Sequence, residues 1–261
     1  MLAPRAASEA GEPAFVYREA PMPRPDAAHP PLARCLRAVL VLLAVSAPAR
    51  ADEASTADLI AEVNRTIARP ERGVVQLWWL PTEFWVAASR EIGQSPEEAE
   101  AVRRIFQDYL LIGAMDVRVD AAGQPSAASI AEIVERIEVW RGDEKLEVLR
   151  QVNPSLVDRS PQLTYAFKTS LQPLGTALRV LPLSNVDRGG QPVLAGDKAG
   201  DLRVIYKPAD GGAPTEVRWR GPLTSVVGHA TCPVDGEKLA ASFRFCPHHG
   251  NALTPPTKSA P

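Results

Sequence analysis

The residues best suited to chemistry lie near the end of the 261-residue chain. They form two matching pentapeptides, Cys232-Pro233-Val234-Asp235-Gly236 and Cys246-Pro247-His248-His249-Gly250, of the form Cys-Pro-x-(Asp/His)-Gly. Thiolate, carboxylate and imidazole are all zinc donors, and two thiols can also oxidise to a disulfide. The glycine that closes each pentapeptide permits a tight turn. Three of the four histidines, His229, His248 and His249, fall in this same stretch, the fourth being His29. A Ser/His or Cys/His nucleophilic site built from 52–228 is therefore excluded. The sequence also lacks Gly-x-Ser-x-Gly, His-Glu-x-x-His, a phosphate-cradling glycine loop and a dinucleotide fingerprint. Carboxylate acid–base chemistry remains open. Asp116 and Asp120 share the polar face of one expected strand, where a solvated edge is the simpler reading.

The paired pentapeptides resemble a zinc ribbon, in which two Cys-Pro-x-Cys-Gly knuckles flank a small hairpin. Phe243-Arg244-Phe245 reads as a strand of that hairpin. In the family all four knuckle cysteines bind zinc, whereas here the second ligand of each pair is Asp235 or His249. Carried over position by position, the resemblance implies Cys232, Asp235, Cys246 and His249 as ligands. A competing reading joins Cys232 to Cys246 in a disulfide, which would close a loop of roughly 15 residues and stabilise by about 3 kcal/mol. A pair of free thiols is the third reading.

The other end of the chain reads as a leader over 1–51. Arg34 and Arg37 precede an apolar run from Ala38 to Val45, and Ala49-Arg50-Ala51 is a small-x-small cleavage site before Asp52. The run is shorter than the roughly 20 residues a membrane-spanning helix needs, so no stable membrane span is expected. Cys35 precedes the run, an order unlike that of a lipid-attachment cysteine. Met22 would serve as a start that gives a signal peptide of ordinary length. Export to the periplasm or beyond follows, in a compartment that tolerates disulfides. Removing the leader's arginines and acids leaves 23 basic and 27 acidic residues in 52–261. That balance gives no basic footprint for nucleic acid.

The elements that must position the tail come from 52–228. Three of five tryptophans, Trp78, Trp79 and Trp85, cluster in Val74–Ala88, and so much aromatic area should nucleate a core. Val74–Leu80 reads as a doubly covered strand ended by Pro81, with Thr82 capping a short helix through Ala88. Ser55-x-x-Asp58 opens a helix expected over Thr56–Ala68, and Ser95-Pro96-Glu97-Glu98 opens another. Tyr109–Asp120 is the most regular strand. Ser129–Val134 is a helical turn, and Gly142-Asp143 turns a hairpin between Ile137–Val139 and Leu146–Val148. Ser160-Pro161 starts a helix carrying Leu163, Phe167 and Leu171. Leu178–Leu183, Leu202–Tyr206 and Thr215–Trp219 are strands, with a polar loop from Asn185 to Gly200.

Strands and helices do not alternate regularly. The fold class is therefore α+β: a mainly antiparallel sheet with helices on one face over 52–228, followed by a ribbon-like tail over 229–261. A parallel doubly wound sheet is the runner-up for the first half. The leader, Leu-Pro-x-Glu-Phe-Trp (Leu80 to Trp85), Trp-Arg-Gly-Pro-Leu (Trp219 to Leu223) and the Cys-Pro tail together resemble an uncharacterised family of exported bacterial proteins. That resemblance implies an exported α+β protein and no activity. Two functions fit: a non-enzymatic envelope protein presenting its clamped tail to a protein partner, or a hydrolase using carboxylates or a tail-bound metal.

Overall fold

The computed structural model describes residues 54–69, 73–159, 165, 171 and 174–256. The leader and nearly all of the helix expected from Ser160 lie outside the described residues. Helix α1, Thr56–Val63, starts where Ser55 Oγ accepts from the Asp58 amide. The chain then leaves the helix five residues before Ala68, because Asn64–Arg69 forms strand β1. It pairs antiparallel with β2, Gly73–Leu80, placing Ile67 opposite Val75 and Asn64 opposite Trp78. Thr66 and Ile67 are β-branched, and the cross-strand partner outweighs a helical spacing that only Ile67 extended.

Pro81, not Thr82, is the cap residue of α2, Thr82–Glu91, and no side chain accepts there. Helix α3, Pro96–Phe106, has a full capping box between Ser95 and Glu98. Strand β3 is Tyr109–Val119 and β4 is Pro125–Ala127. A second capping box, Ser129 with Glu132, opens α4, Ile130–Arg136. Then follow β5, Ile137–Arg141, β6, Glu144–Leu146, a short helical segment at 154–159, β7, Arg179–Ser184, β8, Gly200–Tyr206, and β9, Thr215–Gly221. One helical turn, α5, Thr224–Val227, leads to the ribbon, whose strands are β10, Ala230–Thr231, and β11, Lys238–Leu239.

The fold is α+β, and every strand pairing described is antiparallel. The first sheet runs β1-β2-β3, with β7 and β4 one after the other along the free edge of β3. The second runs β6-β5-β8-β9. Their inner faces share one apolar cluster with α1, α2 and α3, containing Trp78, Trp79, Trp85 and Trp219. The aromatic stretch is thus structural core: Trp78, Trp79 and Trp85 are buried, and Trp85 stacks on Phe106 with ring centroids 4.6 Å apart. A polar bond also ties the second sheet to α1, Trp219 Nε1 donating to the Val63 carbonyl at 2.6 Å. Among the described residues no helix is long and apolar enough to cross a membrane.

Asp116 differs from its expected place on a solvated strand edge. Residues 110–117 of β3 are all buried, and Asp116 is only 1% exposed. Its Oδ2 accepts from Arg136 Nη1 and from the Tyr206 hydroxyl, both at 2.8 Å. Covering this face with the second sheet required partners for the charge, and Arg136 and Tyr206 supply them.

Candidate metal centre

The two pentapeptides fold alike. In the first, the Cys232 amide donates to the Glu237 carbonyl and the Gly236 amide donates back to Cys232, each at 2.9 Å. In the second, the Cys246 amide donates to Asn251 and the Gly250 amide to Cys246, each at 2.8 Å. Both turns need a residue at positive φ, and Gly236 and Gly250 supply it at 76° and 71°. The halves are joined by Thr231 and Thr254, whose amides and carbonyls exchange two bonds of 2.9 Å. The hairpin differs from expectation in its strands. Ala230–Thr231 pairs with Lys238–Leu239 around the first knuckle, whereas Phe243–Phe245 is not a strand and only Phe245 bridges, to Ala252. Both phenylalanines are exposed, so no buried face holds that segment in a sheet.

Folding the knuckles together brings Cys232, Cys246 and His249 into one group whose ligand atoms all lie within 4.8 Å of one another. His249 Nδ1 sits 3.4 Å from both sulfurs. Cys232 and Cys246 are buried free thiols, close but without a bond between them. Asp235, the remaining residue of the expected set, approaches from one side, its Oδ2 lying 3.9 Å from His249 Nδ1. Its other oxygen is engaged by the Glu237 amide at 3.0 Å. His248 stays outside, exposed and 3.9 Å from Glu237. His229 is exposed and belongs to no such group.

A tetrahedral zinc with ordinary Zn–S and Zn–N lengths separates its sulfur and nitrogen ligands by roughly 3.6 Å. The 3.4 Å spacings fit that edge closely. A Cys232-Cys246-His249 group of this geometry can bind a metal ion.

Local electrostatics follow from the turns. Burial pushes the Cys232 thiol up, against amides of Asp235 and Val234 that favour its thiolate. Burial acts the same way on Cys246, but the amides of His248 and His249, the His249 ring and the Cys232 thiol outweigh it and hold Cys246 below the ordinary thiol range. His249 is raised, chiefly by its contact with Cys246 and then by Asp235. Asp235 is lowered, first by the Glu237 amide and next by Cys232. Amides aimed at each sulfur are what a thiolate ligand needs.

The ribbon is fastened to the domain at α5. Glu62 of α1 accepts from the amides of Thr224 and Ser225 at 2.7 and 2.8 Å and from Ser225 Oγ at 2.7 Å. Thr224 Oγ1 then accepts from the Ala241 amide at 3.0 Å. Glu62 and Thr224 carry no local signal in the sequence, being 162 residues apart.

Neither Asp116 nor Asp120, which lies just past the end of β3, forms an acid–base pair. Asp116 is held by Arg136 and Tyr206, while Asp120 Oδ1 accepts from the Ala122 and Gln124 amides and closes a turn. Two open clefts, of about 760 and 540 Å³, lie at one end of the second sheet, where β8 begins. Cys232, Cys246 and His249 line neither of them. No protein-family model, curated protein or solved structure matches the chain.

Proposed function

We propose that this chain is an exported, non-enzymatic binding protein of the bacterial envelope, whose C-terminal ribbon is held by zinc. Cys232, Cys246 and His249 serve as ligands, and Asp235 moves in as the fourth. The observation that carries the reading is the meeting of two buried thiols on a single imidazole nitrogen. Thiol and imidazole together favour zinc over magnesium or calcium, which prefer oxygen. Four protein ligands close the coordination sphere, the pattern of a structural site rather than a hydrolytic one. The role of the metal is then to fix the ribbon, so that it presents a rigid surface to a protein partner. Export is supported by the flanked apolar run and the Ala49-Arg50-Ala51 site.

Native mass spectrometry of the secreted protein, purified without chelator or reductant, tests the reading. The expected mass begins at Asp52 and carries one zinc per chain. Cys246→Ser and His249→Ala should lose the ion, and Asp235→Asn should weaken its retention against a competing chelator by about tenfold. A metal-free chain lighter by two hydrogens would replace the zinc clamp with a Cys232–Cys246 disulfide. A start upstream of Asp52 on a soluble protein would remove export.

A further inference from the structure

The outward face of the second sheet carries an arrangement that the metal centre does not explain. Registered positions place Lys145 opposite Trp140, Trp140 opposite Arg203, and Arg203 opposite Arg218. One row of side chains thus crosses four strands, about 14 Å at ordinary strand spacing. Glu138, Ile205 and Glu216 form the next row. Arg220 stands beyond, opposite Asp201.

Charges on this face are shared unequally. Glu138 lies 3.2 Å from Lys145 and 2.6 Å from Lys207. Glu216 lies 3.6 Å from Arg203 and 2.6 Å from Arg218. Asp201 lies 3.9 Å from Arg218 and 4.0 Å from Arg220. Each of three carboxylates serves two cations, so five cations face three acids. Arg244 of the ribbon, which has no carboxylate partner among the described residues, adds a sixth, lining the 540 Å³ cleft together with Arg218 and Arg220. Within this group cations exceed acids by three, in a chain whose net charge is −2.

We propose that this face binds an acidic polysaccharide, laid across the strands from Lys145 to the cleft at Arg244. Guanidinium groups hold sugar carboxylates through paired hydrogen bonds. The shape of the track selects this occupant over other polyanions. Single-stranded nucleic acid needs free aromatic faces to stack on, and Trp140 already lies under Arg203 and Lys145, at 5.1 and 6.0 Å from its ring. Insertion into a bilayer needs free apolar side chains, and the apolar members of this face, Trp140 and Ile205, are half-buried. A peptide that adds a strand pairs along a sheet edge, whereas these cations run across strands.

Binding of the full exported chain to polygalacturonate, with neutral dextran, oligo(dT) and phosphatidylglycerol vesicles alongside, tests the proposal. Polygalacturonate should bind and dextran should not, with affinity falling at least about tenfold between 50 and 300 mM salt. Arg203→Gln/Arg218→Gln/Arg220→Gln should lose about tenfold or more. Its zinc stoichiometry should be unchanged, which separates failure of this site from failure of the ribbon. Glu138→Gln/Glu216→Gln removes the competing acids and should tighten binding, a gain that misfolding cannot imitate. Arg103→Gln/Arg104→Gln on α3 should change nothing. No binding, binding indifferent to salt and to both sheet variants, or tighter capture of oligo(dT) or vesicles would overturn it.

Discussion

The domain and the ribbon are held together by different means. The domain buries an extended apolar cluster, with Trp78, Trp85, Trp219, Phe84 and Phe106 among its fully enclosed side chains. The ribbon buries Ala230, Cys232, Leu239, Cys246 and Leu253, so two of its five core members are the cysteines themselves. A segment this small cannot remove enough apolar surface from water to fold on that account alone, and units below about 40 residues usually depend on a metal, a cross-link or a partner. The domain should therefore answer to cavities, and the ribbon to loss of its ligands.

The sharpest break is Trp85→Ala. Trp85 is fully buried, stacks on Phe106, meets Phe84 edge-on at 5.1 Å, and donates to the Leu80 carbonyl at 3.3 Å. Its loss should cost about 4 kcal/mol of domain stability. Denaturant unfolding followed by fluorescence measures this, and zinc content below the transition should not move. A loss under about 1 kcal/mol would mean that the aromatic cluster does not carry the domain.

Asp116→Asn comes next. The amide keeps the shape but removes the charge that faces Arg136, which is 14% exposed and left with Glu132. Breaking a buried pair by altering one member costs about 3 kcal/mol. Tyr206→Phe removes a single hydrogen bond to the same carboxylate and should cost about 1 kcal/mol. Thermal unfolding of both variants fixes the order.

Legibility in the sequence followed how local each cause was. Ser95 with Glu98 and Ser129 with Glu132 announce their helices within four residues, and both boxes form. The knuckles were readable for the same reason, since each turn closes on its own cysteine. At β1 the sequence is ambiguous, because Ile67 satisfies helical spacing from Leu59 and Val63 as well as it satisfies pairing with Val75. Only the partner strand decides between them. Asp116 looked like a solvated edge because Tyr206, which covers it, lies 90 residues away. The cation row is likewise invisible in sequence. Its members come from β6, β5, β8 and β9, and only strand register aligns them.

The joint between the two regions gives a further test. Glu62→Ala leaves the Thr224 and Ser225 amides without their acceptor and should cost about 1–2 kcal/mol. Because Thr224 also holds the Ala241 amide, hydrogen exchange should quicken at 224, 225 and 241 while knuckle amides stay protected. Exchange that quickens equally in the knuckles would show that the ribbon borrows its stability from the domain.

The smallest expected effect is a pH dependence confined to the domain. Glu132 accepts from the Ser129 amide at 2.8 Å and pairs with Arg118 and Arg136 at 2.8 and 3.0 Å. The Ser129 amide foremost, with Arg118 after it, lowers its carboxyl to about 2. A carboxyl depressed on folding binds its proton more tightly in the unfolded chain. Its stabilisation is thus full above the unfolded value near 4.5 and drains away as pH falls through about 2. The side chain is 40% exposed, so solvent screening reduces the contribution to about 1 kcal/mol. The stability gap between the parent and Glu132→Gln, measured by urea unfolding, should be about 1 kcal/mol at pH 6 and close toward zero near pH 2. A gap that stays constant with pH would assign Glu132 a packing role in the α4 cap instead of an electrostatic one.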